Sequence, residues 1–288
     1  MKHKVSCVIV NYNDSNRSMK LTKRIISYDN IAHVIVVDNC STDNSLEVLK
    51  SFINEKYILL ESEKNGGYGY GNNLGIHKAY ELGDDRVLIA NPDVVFSEDC
   101  LSHMLHTMDK IDNCVAIGAK ETYLGTYAWR YTSGLHDVLS TSLLFNKLLK
   151  KRYYGNGYFL DKAWAIVDII PGCFMLVKTK EFSEYGLYDE DFFLYEEEKV
   201  FFKKMTQAGF KLAIDLEVSF EHRHVDGDLN IKKCLVTKQR LIKSKRIFLI
   251  KYRQFTPFEI LLCDIFFIFC YLEMLLYASL KQATSIFR

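Results

Sequence analysis

The carboxylate of Asp93 is the first group in this sequence that suggests chemistry. An apolar run ends at Asn91-Pro92-Asp93, and a second apolar run follows directly. Asp93 is a hard oxygen donor beside a rigid proline, and such a group suits Mg²⁺ or Mn²⁺ bridging to the oxygens of a diphosphate. The alternative is a helix N-cap, but the next helix is predicted to begin near Ser97, which is four residues away and favours the ligand role.

Three consecutive glutamates form a second candidate for chemistry. Glu196, Glu197 and Glu198 open a predicted amphipathic helix that ends at Gly209. Carboxylates in a first helical turn interact favourably with the helix dipole, and this is the structural interpretation. The functional interpretation is that one of them is a general base, since like charges and partial burial would raise its pKa toward a useful range.

A glycine-rich loop at residues 66–71 is the third candidate. It is not a Walker A loop, because no Gly-Lys-Ser/Thr follows, and it does not read G-x-G-x-x-G after a first strand. A helix is predicted to begin near Asn72. Glycines before a helix can let the backbone approach a ligand closely, but the motif alone predicts no specific nucleotide site.

The elements around these residues predict an α/β fold. Apolar strands alternate with helices of about 10 to 15 residues, which indicates a parallel sheet with both faces covered. Ligands of such sheets bind beyond the carboxyl ends of the strands. The first four predicted strands all lead into polar or glycine-rich residues at that edge, namely Asn11 to Asp14, Asp38 with Asn39, the glycine loop, and Asn91 to Asp93. Four such ends together predict a binding site.

Residues 122–165 interrupt the alternation with aromatic, glycine and basic residues. One interpretation is a surface excursion that is packed by its own rings. The other is a substrate-facing loop, since loops on α/β sheets carry specificity and aromatic faces suit sugars or lipids. The sequence leaves both open.

The C-terminal part has a different composition. Residues 232–253 contain nine Lys or Arg, and the following apolar run is long enough to cross a bilayer. Asp264 and Glu273 interrupt that run, and each would cost roughly 2.5–3.5 kcal/mol at the centre of a membrane-spanning helix. A basic stretch beside an apolar helix predicts a segment that lies on an anionic membrane surface. The alternatives are a helical hairpin packed on the core and a contact with a second copy.

Overall composition limits the class of protein. The chain has 288 residues, of which 49% are hydrophobic, and a formal net charge of +1, so no global positive field favours nucleic acid. Its eight cysteines form no C-x-x-C pair, which argues against zinc and predicts reduced thiols in the cytosol. The short apolar run near the N-terminus is predicted to be a first strand rather than a signal peptide.

Five motifs, in order, resemble those of family-2 inverting glycosyltransferases with the GT-A fold, particularly rhamnosyltransferase-like and capsular-polysaccharide members. The motifs are VIVNYN, VVDNCSTDNS, NGGYGYGNNLGI, LIANPDVVF and PGCFMLVKTKEFSEYGLYDEDFFLYEEE, within about residues 4–225. The resemblance implies a Rossmann-like, mostly parallel sheet flanked by helices. We therefore expect a GT-A domain over residues 1–228 and a helical extension over 229–288. The donor half would end near residue 120, and the acceptor and base half would follow.

The resemblance also implies the residues that bind the donor. Tyr12 would lie against the nucleobase, with Asn11 nearby, and Asp38 would accept the N3–H of a pyrimidine. Asn65, Gly67 and Asn73 match the loop and helix start near the ribose and diphosphate. The implied donor is a UDP- or dTDP-sugar, and the implied cofactor is Mg²⁺ or Mn²⁺.

The metal and base residues match the family with two departures. Asp93 matches the last Asp of the D-x-D element, but Asn91 replaces the first one, which leaves one fewer charge for the metal. Glu198 matches the carboxylate that ends the E-D pair and would be the base, with Glu197 before it as the alternative. Val200 stands where many relatives carry another Asp. His222 or His224 would approach the metal, and His224 is the predicted ligand.

The implied reaction is an inverting transfer of a hexose, such as rhamnose, to a glycan or lipid-linked glycan in surface polysaccharide synthesis. The acceptor prediction depends on the aromatic segment and on the basic and apolar C-terminal part, which would place the protein at the inner face of the cell membrane. A non-catalytic sugar-nucleotide scaffold is an alternative suggested by Asn91 and Val200. A sugar nucleotidyltransferase is disfavoured, because its glycine-rich loop would follow the first strand directly.

Overall fold

A computed structural model describes residues 3–123, 128–149, 154, 156–223 and 230–286. These residues divide into two compact units. The first unit takes residues within 1–129, 154–190 and 197–224, and the second takes residues within 130–153, 191–196 and 225–288. The second unit therefore combines the C-terminal helices with two segments from the middle of the chain. The predicted domain boundary at residue 228 stays a prediction.

Four parallel strands form one half of the sheet in the first unit, in the order β3-β2-β1-β4. Their bounds are β1 Val5–Asn11, β2 Ile31–Asp38, β3 Tyr57–Glu61 and β4 Arg86–Ala90. They are connected by the helices α1 Ser15–Ile25, α2 Ser45–Lys50 and α3 Tyr68–Glu81. The parallel arrangement is confirmed here, and it brings the carboxyl ends of these strands to one edge.

The other half of the sheet is mixed, which the sequence pattern did not predict. Its elements are β5 Val94–Val95, α4 Glu98–Lys110, β6 Cys114–Glu121, β7 Trp164–Val167, β8 Phe174–Lys178 and β9 Lys211–His222. The strand β8 is antiparallel to both β4 and β6, whereas β6 and β9 are parallel. The short α7, Thr179–Glu181, follows β8 and continues into a π-helical turn, Phe182–Gly186. The helix α8, Glu197–Gln207, precedes β9.

Helices cover both faces of the sheet, as predicted. On one face, α1 and α4 contribute Met19, Leu21 and Met104 to a core that includes alternate residues of β1. On the other face, α3 contributes Ile76 and α8 contributes Phe201. Each strand therefore buries both of its sides, which explains why the strands read as continuous apolar runs.

The second unit is a helical assembly. Its helices are α5 Gly134–Leu139, α6 Leu143–Leu148, α9 Ile231–Arg253 and α10 Pro257–Ile286. Its core contains Val138, Leu249, Ile260, Cys263 and Phe267. The helices α9 and α10 pack against each other, joined by a turn in which Gln254 has a left-handed φ of 56°. This arrangement matches the helical hairpin that the sequence left open.

Asp264 and Glu273, the acidic residues that interrupt the apolar run of α10, both have protein partners. Asp264 pairs with Arg246 of α9 at 3.0 Å. Glu273 accepts hydrogen bonds from the backbone N–H groups of Leu143 and Leu144, at 2.7 and 2.9 Å, and so caps the start of α6. The charges that interrupt the apolar run therefore form contacts inside the second unit.

A long apolar stripe of α10 is exposed. Its side chains include Phe258, Leu261, Leu262, Ile265, Ile268, Phe269, Leu272, Leu276 and Leu280. Positions spaced by three, four and seven residues lie on one side of a helix, so these side chains form a continuous surface. By length and composition alone, residues 257–282 could also cross a membrane.

The helix α9 contacts the segment 191–196 at several points. Ser244 donates a hydrogen bond to the backbone oxygen of Leu194 at 2.6 Å, and Lys245 forms an ion pair with Glu196 at 2.6 Å. Both charged side chains of that pair are almost completely buried. Glu196 has a left-handed φ of 72°, as does the residue before it at 76°. Such conformations persist where the surroundings hold them, and α9 provides those contacts.

The aromatic segment is packed by its own rings at the positions that can be described. Tyr154 and Tyr158 stack with centroids 4.6 Å apart, and the Tyr158 hydroxyl donates to the backbone oxygen of Ile166. In the second unit, the Arg253 guanidinium lies 4.3 Å from the centre of the Tyr131 ring. These contacts favour the packing interpretation, and a substrate-facing role stays a prediction.

Candidate active site

Asn11 and Asp38 meet where β1 and β2 end. They occupy paired positions of these parallel strands, and Asn11 Nδ2 donates to Asp38 Oδ1 at 2.8 Å. The Ser41 hydroxyl donates to the same oxygen at 2.6 Å, and the Ser41 backbone N–H donates to Oδ2 at 3.1 Å. A carboxylate offers about four acceptor positions, so these three bonds orient Asp38 and leave it capacity to accept one more.

The side chain of Tyr12 is exposed at this edge. It is 46% accessible, whereas Asn11 before it is completely buried. The strand β1 ends at Asn11, so Tyr12 lies where the chain leaves the sheet. An exposed ring next to an oriented carboxylate can stack on a planar ligand that donates an N–H group.

The loop before α3 is attached to the end of β2. Asn39 Nδ2 donates to the backbone oxygen of Gly67 at 3.0 Å and to Asn65 Oδ1 at 3.2 Å. Gly67 has a φ of 92°, which disfavours any residue with a Cβ. The predicted residues Asn65 and Gly67 are therefore brought together with Asp38 at one edge of the sheet.

The remaining glycines of this motif serve packing, which corrects the predicted helix start near Asn72. The helix α3 begins at Tyr68, so Gly71 and Gly75 are helical. A Cβ at Gly71 would lie 2.7 Å from Val10 Cγ1, and a Cβ at Gly75 would lie 2.4 Å from Val8 Cγ1. These two glycines let α3 approach β1 closely.

Asn73 is predicted to lie near the donor, but the structure uses its side chain for internal contacts. Its Oδ1 accepts from the backbone N–H of Tyr188 at 2.9 Å, and its Nδ2 donates to the Tyr188 backbone oxygen at 2.9 Å. Its Nδ2 also contacts Glu190 Oε1 at 3.0 Å. Asn73 is therefore buried and holds the chain that leads towards α8. A donor contact by Asn73 stays a prediction.

Asp93 faces a histidine. The strand β9 extends to His222, which pairs with Val94 of β5. This pairing places His222 Nε2 3.1 Å from Asp93 Oδ1. Asp93 does not cap α4, because the Ser97 side chain accepts the hydrogen bond from the Cys100 backbone N–H. The structure therefore does not use Asp93 as the cap of this helix.

Asn91 and His224 are the other residues predicted near the metal. Asn91 begins the turn that carries Asp93, since its backbone oxygen accepts from the Val94 N–H at 3.1 Å. Its own N–H donates to the backbone oxygen of Cys173 at 2.9 Å, which connects this turn to the loop before β8. His224 lies outside the described residues.

Glu197 and Glu198 occupy the first turn of α8, where the helix dipole favours carboxylates. Glu197 is buried, whereas Glu198 is partly exposed. Glu198 Oε1 accepts a hydrogen bond from the Gly172 backbone N–H at 3.3 Å. Val200, at the position where the resemblance would place another Asp, is buried. The more accessible carboxylate of the pair is therefore Glu198.

Two phenols, the partly buried Tyr68 and the buried Tyr188, lie beside these carboxylates. Tyr68 donates its hydroxyl to the backbone oxygen of Gly172 at 2.6 Å. Burial raises the pKa of Tyr68 well above its ordinary value, and Tyr188, Cys173, Glu198 and Glu197 raise it further. Tyr68 therefore stays protonated and acts as a donor at the loop that contacts Glu198.

The Cys173 thiol is influenced by both candidate carboxylates, Glu198 and Asp93. Burial raises the pKa of its thiol, and the charges of Glu198, Asp93 and Glu121 add to this rise. The loop of this residue also connects the two regions by hydrogen bonds. The Gly172 N–H donates to Glu198, and the Cys173 backbone oxygen accepts from the N–H of Asn91, which begins the turn that carries Asp93.

The side chains at Asp93 that could coordinate a metal fit a divalent cation whose other ligands come from a bound substrate and water. Asp93 and His222 provide one carboxylate and one imidazole within 3.1 Å of each other. No group of three or more His, Cys, Asp or Glu side chains suited to a metal occurs in the part of the chain that the structure describes. Mg²⁺ is commonly bound by one or two protein carboxylates with phosphate oxygens and water completing its shell.

Glu121 is a site residue that the sequence analysis missed. It ends β6, is buried, and its Oε1 accepts from the His222 backbone N–H at 3.4 Å. The sequence feature that could have identified Glu121 is its position at the end of a strand. However, the sequence could not show that β6 lies beside β9, because their pairing joins residues about 100 positions apart.

The family model described as glycosyl transferase family 2 matches residues 6–180, which is more than half of the chain. Rhamnosyltransferase WbbL of Escherichia coli (strain K12) is 25% identical over 221 residues, covering 72% of this chain and 79% of that protein. Low-salt glycan biosynthesis hexosyltransferase Agl10 of Haloferax volcanii is 27% identical over 195 residues, covering 67% of this chain but only 59% of that protein.

Solved structures are similar in fold. GalNAc-T7 with UDP, GalNAc and Mn²⁺ has a TM-score of 0.62 at 16% identity, covering 78% of this chain and 45% of that chain. The mannosyltransferase PcManGT from Pyrobaculum calidifontis, in complex with GDP-Man and Mn²⁺, has a TM-score of 0.58 at 16% identity, covering 99% of this chain and 76% of that chain. At these identities the similarity concerns the fold alone.

Proposed function

Because this chain belongs to glycosyl transferase family 2 and has the GT-A fold, we propose that it is an inverting hexosyltransferase. Its donor is a nucleoside-diphosphate sugar, with UDP or dTDP as the nucleotide. Its acceptor is a glycan or a lipid-linked glycan in surface polysaccharide synthesis. Rhamnose is one sugar that fits, since the E. coli relative is named a rhamnosyltransferase.

The observation that carries this proposal is that the loop of Gly172 and Cys173 contacts both Glu198 and the turn that carries Asp93. Direct displacement at an anomeric carbon needs a base for the acceptor hydroxyl and stabilisation of the negative charge on the leaving diphosphate. A partly exposed carboxylate at a helix start suits the first task. A carboxylate paired with an imidazole suits the second.

In the proposed step, Glu198 takes the proton of the acceptor hydroxyl. The acceptor oxygen then forms a bond to the anomeric carbon, while the bond from that carbon to the diphosphate oxygen breaks. The nucleoside diphosphate leaves with the electron pair. Because one displacement occurs from the side opposite the leaving group, the anomeric configuration is inverted. A retaining reaction by double displacement would need a second carboxylate as nucleophile.

Asp93 and His222 would hold the divalent cation, Mg²⁺ or Mn²⁺, and the cation would neutralise charge on the leaving diphosphate. Asp38 and Tyr12 support the nucleotide assignment. Asp38 has remaining capacity to accept an N–H of a pyrimidine, and the exposed Tyr12 ring can stack on a base.

The helices α9 and α10 support a peripheral membrane contact at the inner face of the cell membrane. The exposed stripe of α10 is apolar, and its acidic residues have protein partners. Exposed lysines of α9, such as Lys232, Lys233 and Lys243, would attract anionic lipid headgroups. This contact would bring the protein to a lipid-linked acceptor.

The proposal is tested by transfer assays with Glu198→Gln and Glu197→Gln. A panel of UDP-, dTDP- and GDP-sugars is combined with a lipid-linked acceptor and Mn²⁺, and products are identified by mass spectrometry. We expect Glu198→Gln to lower the transfer rate by roughly 10²–10⁴-fold while donor binding remains. The exposed Glu184→Gln is the matched control. Full activity in both glutamine variants would refute the base assignment, and donor binding without turnover by the wild type would favour a scaffold.

A further inference from the structure

A small pocket with basic walls opens between α1 and the turn that carries Asp93. Its volume is about 100 Å³. A water molecule occupies about 30 Å³ in the liquid, so the pocket has room for one group of a few heavy atoms. Its lining consists of Arg17, Lys20, Leu21, Arg24, Pro92, Asp93, Val94, Val95 and Arg223. All of these residues belong to the first unit.

The basic residues of α1 are placed on one side of the helix. Arg17, Lys20 and Arg24 are spaced by three and four residues, and residues at this spacing are neighbours on a helix surface. Like charges at this spacing destabilise an isolated helix. Arg17 also lies in the first turn, where the helix dipole disfavours a cation. Helix stability therefore does not explain this arrangement.

Only part of this positive charge is compensated by protein carboxylates. Arg17 pairs with Asp14 at 3.0 Å, and Arg223 pairs with Glu221 at 2.6 Å. Among the residues that the structure describes, Lys20 and Arg24 have no ion pair. Two cations therefore line the pocket without a carboxylate partner, and they would attract an anion.

The pocket lies directly beside the candidate metal residue. Asp93 forms part of its wall, and the Asp93 backbone oxygen accepts from the Arg223 N–H at 2.9 Å. An anion held here would therefore be next to Asp93. A phosphate group fits these walls, since arginine and lysine are its usual partners and arginine can bind it with two parallel hydrogen bonds.

We propose that Arg17, Lys20, Arg24 and Arg223 form a subsite for one phosphate group of a substrate diphosphate. None of these residues is among those that the family resemblance assigns. The presence of an anion site depends on the geometry alone, whereas its assignment to a substrate rests on the proposed function. The diphosphate has two possible sources, namely the nucleotide and a lipid-linked acceptor.

The first test uses ³¹P NMR to measure the affinity of the protein for pyrophosphate in the presence of a chelator. The variant Lys20→Met/Arg24→Met removes both uncompensated cations, and Lys23→Met is the matched control because it removes an exposed lysine of the same helix that does not line the pocket. We expect pyrophosphate to bind at least about tenfold more weakly to the double variant. The control should match the wild type, and equal affinity for all three proteins would overturn the proposal.

A second variant keeps the test valid if the double variant folds poorly. Arg223→Met changes a residue outside α1 and should weaken pyrophosphate binding in the same direction. Added salt should weaken pyrophosphate binding to the wild type more than pyrophosphate binding to either variant. The reason is that the variants have fewer positive charges at the pocket for salt to screen. Unchanged affinity in Arg223→Met together with a misfolded double variant would also count against the site.

Substrate titrations then identify the source of the phosphate. If the nucleotide supplies it, the double variant binds UDP more weakly but uridine equally well. If the acceptor supplies it, UDP affinity is unchanged and KM for the lipid-linked acceptor rises. No change in either measurement would refute the assignment to a substrate. Glu198→Gln should still bind pyrophosphate, so a failure of the proposed reaction can be distinguished from a failure of this subsite.

Discussion

The polar sheet edge of the first unit and the α9–α10 pair of the second unit use their charged groups in opposite ways. At the sheet edge, three hydrogen bonds orient the buried Asp38 and leave it one acceptor position, and Asp93 is partly exposed beside His222. In the helix pair, Asp264 and Glu273 are directed to protein partners. The exposed stripe of α10 is consequently free of charge.

This difference shows that the structural role predicted for a charged residue depends on the element in which the residue lies. A carboxylate after an apolar strand predicts a site, because strand ends meet at one edge. A carboxylate within an apolar helix predicts a protein contact, because an uncompensated charge there is costly. Four changes would test the two sides of this comparison.

The largest effect is expected from Lys245→Met in the second unit. Removing one partner of a buried ion pair is strongly destabilising, so the free energy of unfolding should fall by roughly 3–5 kcal/mol in urea titrations. The exposed Lys243→Met should change it by less than about 0.5 kcal/mol. Adding Glu196→Met to Lys245→Met should restore much of the loss, and no restoration would argue against the pair as the cause.

Asp93→Asn should mainly change the reaction at the sheet edge. We expect the transfer rate at saturating donor to fall by about 10²–10³-fold, because charge stabilisation on the leaving group is lost. The exposed Asp112→Asn, in the turn after α4, provides a control of equal charge change. A wild-type rate in Asp93→Asn at every Mn²⁺ concentration would show that this carboxylate does not take part.

Gly75→Ala should destabilise the contact between α3 and β1 that places the glycine loop. The added Cβ would lie 2.4 Å from Val8 Cγ1, and overpacking of this kind costs about 1–3 kcal/mol of unfolding free energy. Gly157→Ala is the control, since a Cβ there meets no atom within 4 Å. Equal thermal stability of the two variants would contradict the packing role of Gly75.

The smallest effects are expected on the exposed stripe of α10. Ile265→Gln and Leu272→Gln should each weaken sedimentation with anionic liposomes by roughly three- to tenfold, because less apolar area is buried in the interface. Ile53→Gln, which is 92% exposed in the first unit, should have no effect. If liposome binding is unchanged but sedimentation equilibrium shows loss of a dimer, the stripe contacts a second copy instead.

The sequence was sufficient for features that depend on local pattern. The four parallel strands follow from apolar runs, and the meeting of Asn11 with Asp38 follows from parallel pairing of neighbouring strands. The approach of His222 to Asp93 could not be predicted in this way, because it depends on β9 continuing to pair with β5 far along the chain. When the last residues of a long strand are polar, the local sequence composition does not show where that strand ends.

The sequence was also insufficient where one residue type serves two purposes. The glycines of the loop before α3 suggested backbone contact with a ligand, but Gly71 and Gly75 allow close helix packing, and only Gly67 adopts a left-handed conformation. Similarly, Asn73 suggested a donor contact, but its amide bonds to the Tyr188 backbone. Such roles depend on which element packs against the residue in the folded protein, and the local sequence does not show this.

The contact of α9 with residues 191–196 has a consequence during synthesis on the ribosome. Glu196 emerges before its partner, because Lys245 is added 49 residues later. At about 5–20 residues per second, this delay is roughly 2–10 s. During that interval, the turn that precedes the α8 carboxylates lacks the helix that holds it. Released chains that end before residue 231 should therefore be cleaved by proteases within 191–196, and chains that extend beyond residue 253 should be protected there.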